Sequence, residues 1–143
     1  MHSIKNYKLI LASASPRRQQ LMKDAGFTFE VRLKNVEEKY PQELHLENVP
    51  EYLSKVKASA FREELKADEV LITADTVVCI HDRILGTPAD RKEAISMLQK
   101  LSGNRHLVVT GVSVTTRTEQ LSFSSRTDVF FKHLSNEEIE FYV

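Results

Sequence analysis

The chain has 143 residues, 41% of them hydrophobic and 28% charged, with twenty Lys and Arg balancing twenty Asp and Glu. That length fits one compact domain with a single core, and the composition excludes disordered and collagen-like chains. A formal net charge of zero supplies no global field toward nucleic acid or anionic lipid, so any anion site has to be local.

Lys8 to Ala12 reads as a short buried strand, and Ser15-Pro16 then provides an N-cap with proline at the first helical position. The helix starting there has Leu21, Met22 and Ala25 as its apolar side and Gly26 as its left-handed stop. Phe27, Phe29, Val31 and Leu33 alternate with Thr28, Glu30 and Arg32, the period of a strand with one wet face. Val36-Glu37-Glu38-Lys39 falls in the loop behind it. From about Val49 to Leu65, the residues Leu53, Val56, Ala60 and Phe61 recur at helical spacings, with Pro50 tolerated in the first turn.

Val70 to Ile80 is nearly continuous and rich in β-branched residues, as in a strand covered on both faces, and His81-Asp82-Arg83 turns the chain into a short Ile84-Leu85 strand. Asp90 caps a third helix with Ala94, Ile95, Leu98 and Leu101 on one side, stopped by Gly103-Asn104. Two strands follow, roughly Leu107 to Thr115 and Thr127 to Lys132. Ser135 and Glu138 form a capping box that starts a final helix carrying Ile139, Tyr142 and Val143. The order of elements predicts an α/β fold. A last helix of only about two turns is marginal alone, which predicts that the chain is a fragment of a longer protein.

Cys79, the single cysteine, lies in an apolar run with no adjacent charge, which predicts a buried, inert thiol and suits a reducing cytoplasm. Asp75 interrupts the longest apolar run well short of the ~18 residues of a membrane span. Leu9-Ile10-Leu11 is too short for the hydrophobic region of a secretory signal.

The sharpest local anomaly is Ser13-Ala14-Ser15-Pro16-Arg17-Arg18. With Ser15 as N-cap, Arg17 and Arg18 stand at the second and third helical positions, where the helix dipole disfavours cations by about 0.3–1 kcal/mol each. Either both guanidinium groups point into water, or an anion at the strand-to-helix junction offsets the penalty by gathering N–H groups, hydroxyls and guanidinium forks. Lys57 lies on or beside the apolar stripe of its helix, so its stem snorkels along the core edge or its ammonium enters a cleft. Asp75 places a carboxylate inside a buried strand, satisfied by neighbouring backbone and Thr76 or serving as metal ligand or general base. Glu37 and Glu38 gain meaning only if folding brings one of them to Asp75, since two carboxylates and a few waters suffice for Mg²⁺. The five histidines have no zinc spacing and no triad partner, and no Walker A or GxGxxG sequence occurs.

The segments Leu11-Ala12-Ser13-Ala14-Ser15-Pro16-Arg17-Arg18, Val36-Glu37-Glu38, Leu53-Ser54-Lys55-Val56-Lys57-Ala58, Ala74-Asp75-Thr76-Val77-Val78 and Met97-Leu98-Gln99-Lys100-Leu101-Ser102-Gly103 occur in one order across the chain. Together they resemble the Maf family of nucleoside triphosphate pyrophosphatases. The resemblance implies a long mixed β-sheet flanked by helices, of the Maf/ITPase-like kind, with two lobes around a cleft. It also implies hydrolysis between the α- and β-phosphates to a nucleoside monophosphate and pyrophosphate, a divalent cation (Mg²⁺ or Mn²⁺), and a homodimer. By the same resemblance Ser13, Ser15, Arg17 and Arg18 bind phosphate, Lys57 faces the triphosphate, and Glu38 and Asp75 hold the metal and activate water. Asp75-Thr76 is similar to the branch acting on dTTP and UTP, which puts Thr76 among the substrate-binding residues.

Two departures stand out. Gly86-Thr87-Pro88 lacks the lysine that many members carry before that proline, and the family's C-terminal segment has no counterpart, so residues 1–143 are expected to form one truncated Maf-like domain. The competing reading is a non-catalytic nucleotide-binding or regulatory module. Nucleic-acid binding is disfavoured by the charge balance and by the absence of a basic patch interleaved with aromatics.

Overall fold

A computed structural model describes residues 7–81, 83–86 and 88–143; Asp82 of the expected turn and Thr87 lie outside the described residues. The chain runs β1 (Lys8–Leu11), α1 (Pro16–Asp24), β2 (Phe29–Val31), α2 (Val49–Ser59), β3 (Glu69–Ile80), β4 (Arg83–Leu85), α3 (Arg91–Leu101), β5 (Arg105–Thr115), β6 (Gln120–Phe130) and α4 (Asn136–Tyr142), with 3₁₀ turns at Leu46–Asn48 and Arg62–Glu64. The six strands form one mixed sheet in the order β2-β1-β3-β5-β6, with β4 also on β3. β1 is parallel to β2 and β3, whereas β4 and β5 run antiparallel to β3 and β6 antiparallel to β5. The α/β class and the mixed sheet flanked by helices are as the sequence implies.

β3 is the spine. On one edge it pairs with β5 from Leu71 to Cys79. Its other edge is divided: β1 covers Glu69 to Ile72, β4 covers Val78 to Ile80, and neither reaches the residues between. This notch, at the carboxyl end of the parallel strand β1, is where an open α/β sheet offers a crevice.

α2 lies over the face carrying Leu71, Thr73, Asp75 and Val77. Its buried residues Val49, Leu53 and Ala58 join two apolar clusters, one with Val77, Cys79 and Val109, the other with Ile10, Phe61, Leu65 and Leu71. Between them runs a chain of hydroxyls: Thr73 Oγ1 donates to the Ser54 carbonyl at 2.6 Å, Ser54 Oγ meets Ser113 Oγ at 2.7 Å, and Ser113 Oγ meets Ser122 Oγ at 2.8 Å. α2 sits this close to the sheet because Gly111, opposite Asp75, has no Cβ; one there would overlap the backbone of Pro50 and Glu51.

Several expectations need correction. The apolar side of α1 is not buried: no α1 residue is, and Leu21 is 60% exposed. The helix holds through its ends instead, with the Ser15 cap and a terminal turn in which Gly26, at φ +88°, lets the Phe27 amide reach the Met22 carbonyl. The alternating segment from Phe27 to Leu33 yields only a three-residue edge strand with Phe27, Val31 and Leu33 exposed, because β1 is just four residues long and offers no further partner. The helix expected to Leu65 stops at Ser59 and tightens into the 3₁₀ turn. β3 is covered mainly on its α2 face; on the other, Thr76 is exposed and Val70, Ile72 and Val78 are half-buried. β6 begins at Gln120 rather than Thr127, the serine-rich stretch from Leu121 to Arg126 being held by β5. In α4 only Ile139 is buried.

Glu69, 1% exposed, is the deepest carboxylate among the described residues; Arg32 Nη2 reaches it at 2.6 Å and the Lys66 amide at 2.8 Å. The Arg32 guanidinium, then the Lys66 amide, hold its carboxyl below the ordinary value of 4.5 against the opposing effect of burial. The pair's contribution is therefore complete above pH 4.5 and drains away as pH falls below it. Glu69→Gln should cost about 2 kcal/mol near neutral pH, with the deficit shrinking in acid. Urea melts of both proteins at neutral and acid pH check this, and a deficit independent of pH would exclude the ion pair as its source.

Candidate active site

β1 ends at Leu11 and the chain turns into α1 through Ser13–Ser15. The Ser15 amide donates to Ser13 Oγ at 3.2 Å, the Arg18 amide to Ser15 Oγ at 3.3 Å, and Gln19 Nε2 to the Ser13 carbonyl at 3.0 Å. Both serine hydroxyls thus act as acceptors, leaving their protons for a further acceptor.

Arg18 and Lys57 approach the notch in β3 from opposite faces of the sheet and meet at one atom. Arg18 Nη1 donates to the Ala74 carbonyl at 3.4 Å and Nη2 to Thr76 Oγ1 at 2.9 Å. Lys57 Nζ donates to the same Ala74 carbonyl at 3.1 Å. That carbonyl is available because neither β1 nor β4 extends to Ala74. Lys57 Nζ also pairs with Asp75 Oδ1 at 3.1 Å and Glu38 Oε1 at 3.0 Å. Arg18 has no ion pair among the described residues; its two partners are neutral.

These groups border a cavity of about 500 Å³ lined by Ser13, Arg18, Lys34, Glu38 and Lys57 among others. A contiguous hollow of about 340 Å³, sharing Glu38, adds Tyr40, Asp75 and Thr76. Burial pushes the Asp75 carboxyl above its ordinary 3.8, aided by the Glu38 charge and opposed by the Lys57 ammonium. The carboxylate is thus more basic than a surface aspartate.

Folding brings Ser13, Arg18, Glu38, Lys57, Asp75 and Thr76 together, with Ser15 capping the helix at their rim. Arg17 stands outside the cavity of Ser13, Glu38 and Lys57 and borders the adjoining concavity on the other face of the sheet, which it shares with Ser15, Arg18 and Thr76. Glu37 pairs with Lys39 in solvent. Two residues escaped sequence reading. Lys34, on the cavity wall, donates to the Ala60 carbonyl at 2.9 Å and to Glu64 at 2.7 Å, contacts with no local sequence signature. Thr110 meets Thr76 Oγ1 at 3.0 Å and is the one hydroxyl on the β5 face that also carries His106, Val108, Val112 and Val114, a break in the valine pattern that could have flagged it.

Glu38 and Asp75 present hard oxygen donors that already converge on one cation, the Lys57 ammonium, so this donor set fits a divalent ion such as Mg²⁺ or Mn²⁺. Among the described residues no third His, Cys, Asp or Glu joins them, and the remaining positions fall to water and substrate oxygens. No helix among the described residues is long and apolar enough to cross a membrane.

Comparison with solved structures finds the same fold in the Ham1 protein of Staphylococcus aureus, with a TM-score of 0.60 at 17% identity over 85% of this chain and 70% of that one. A nucleoside-triphosphatase, dITP/XTP pyrophosphatase, from Mycobacterium abscessus follows, with a TM-score of 0.52 at 12% identity over 85% of this chain and 72% of that one. In sequence the chain is 44% identical over its whole length to a dTTP/UTP pyrophosphatase from Phocaeicola vulgatus, spanning 75% of that protein. It is 46% identical over 99% of its length to one from Bacteroides thetaiotaomicron, spanning 74% of it. A family model described as Maf-like protein matches residues 8–143, and the chain belongs to the Maf family.

Proposed function

We propose that the chain hydrolyses dTTP and UTP to the nucleoside monophosphate and pyrophosphate with a divalent cation. The observation that carries this reading is the contrast between two cations at one carbonyl: Lys57 has two carboxylates, while Arg18, at a helix N-terminus, has only neutral partners. An unpaired guanidinium beside spare hydroxyl protons is the arrangement a polyphosphate completes. The names of the relatives, dTTP/UTP pyrophosphatase, supply the nucleotide.

In this reading Arg18 and the hydroxyls of Ser13 and Ser15 grip the phosphate tail, Thr76 orients Arg18 beside it, and Arg17 adds long-range attraction from the rim. Glu38 and Asp75 hold Mg²⁺ or Mn²⁺, which when bound neutralises phosphate charge and polarises the scissile anhydride. Asp75, made more basic by its buried setting, takes the proton of the attacking water. Lys57 turns from the carboxylates to the phosphates and stabilises charge on the departing pyrophosphate.

Incubation of the chain with dTTP or UTP should release pyrophosphate in Mg²⁺ or Mn²⁺ and none in EDTA. Nucleotide binding without turnover in either metal would sink the enzymatic reading in favour of a binding module. Arg18→Ala should raise the KM for dTTP by about 10- to 100-fold, the loss of one or two charge-assisted hydrogen bonds.

A further inference from the structure

Thr110 lies opposite Thr76 in the β3–β5 ladder, on the sheet face away from α2. Along that face β5 reads His106, Val108, Thr110, Val112, Val114, so a single hydroxyl interrupts a run of valines of the same shape. Directly across the two ladders Thr110 faces Thr76 on β3 and Ser125 on β6, while Ile72 and Ala74 border the same concavity. The valines two residues before and after it show that an aliphatic side chain of this shape fits the strand, which leaves the half-buried hydroxyl to be explained by its partner.

The hydrogen-bond chain supplies the explanation. A guanidinium only donates, so Thr76 Oγ1 is the acceptor in its 2.9 Å bond to Arg18 Nη2. The same Thr76 hydroxyl meets Thr110 Oγ1 at 3.0 Å, a bond in which either hydroxyl can donate. Thr76 thus bridges Arg18 and Thr110, and each bond in such a chain polarises the next. Without Thr110 the Thr76 hydroxyl is free to rotate, and Arg18 keeps only the longer 3.4 Å bond to the Ala74 carbonyl as a fixed point.

We propose that Thr110 is a positioning residue for Arg18: by hydrogen-bonding the Thr76 hydroxyl it locks the Thr76 oxygen toward Nη2 and presets the guanidinium for the triphosphate. This rests on the nucleotide reading above. A preset fork loses less freedom on binding, so the benefit falls on ground-state affinity more than on the chemical step.

The test compares wild type, Thr110→Val and Thr110→Ser by steady-state pyrophosphate release from dTTP and by ¹⁵N relaxation of the Arg18 Nε–H group in the free protein. Thr110→Val should raise KM about 3- to 10-fold, change kcat by less than about twofold and mobilise the Arg18 side chain, with Thr110→Ser restoring both. The proposal is overturned if the valine variant keeps wild-type KM and Arg18 relaxation. It is equally overturned if the serine variant fails to rescue, or if kcat and the thermal midpoint fall together with affinity as for a merely structural residue. A wild-type chain that binds no dTTP would remove the nucleotide reading, while Arg18 relaxation in the free variants still decides whether Thr110 holds that group.

Discussion

Replacing Asp75 by asparagine should abolish pyrophosphate release, lowering kcat by about 10³-fold, while leaving the fold intact. The magnitude is that of a general base removed from a site otherwise complete, whose contribution is typically ~10²–10⁴. Asparagine keeps the shape and an oxygen for Lys57 but accepts no proton and offers a metal only a neutral ligand. Stability should not suffer. Burial raises the Asp75 carboxyl above 3.8 despite Lys57, so its ionised form is a net cost to the folded state at neutral pH, and the neutral amide removes that cost. Lys57 retains Glu38 at 3.0 Å. A thermal midpoint within about 4 °C of wild type is therefore expected, equivalent to roughly 1 kcal/mol for a domain of this size. Activity within tenfold of wild type would remove Asp75 from the chemistry.

Gly111→Ala should be the most destabilising single-methyl change, costing about 3 kcal/mol and roughly 10 °C in thermal midpoint. The added Cβ would run into the Glu51 amide and the Pro50 carbonyl carbon, both backbone atoms at the start of α2, with no flexible side chain to yield. α2 would have to lift from β5, and the Ser54–Ser113 contact at 2.7 Å would open with it. The same displacement carries Lys57, near the far end of the helix, away from Asp75. Any folded fraction should therefore lose activity beyond what its population explains. Thermal melts and the specific activity of the folded fraction check both parts, and a wild-type melting temperature would show that α2 is not seated on Gly111.

The sequence made these sites legible to different depths. Ser15-Pro16, Asp90 and the Ser135–Glu138 box are local devices whose signature and partner lie within a few residues, and each caps its helix as read. The apolar run of β3 is equally self-contained. What could not be read depends on distant partners. β6 looks polar because half of its reason to be a strand is the eleven-residue β5 beside it. The apolar alternation from Phe27 to Leu33 promised a buried face, of which only Phe29 is half-buried while Phe27, Val31 and Leu33 stay exposed. In the site, Asp75 and Lys57 announced themselves as charges in apolar settings and Arg18 as a cation at the wrong helix end. Their meeting at the Ala74 carbonyl had no sequence signature, since it arises from where β1 and β4 happen to stop.

That interruption along β3 has a consequence for how the family's members could come to differ. An aperture made by leaving backbone unpaired needs no dedicated lid, and its width is fixed by the lengths of two short neighbours, the four residues of β1 and the three of β4. Lengthening β1 by a pair of residues, or β4 by four, would bring the neighbour level with Ala74, seal its oxygen into the ladder and cost both cations their shared anchor. Trimming either would widen the doorway without disturbing the twelve-residue girder behind it.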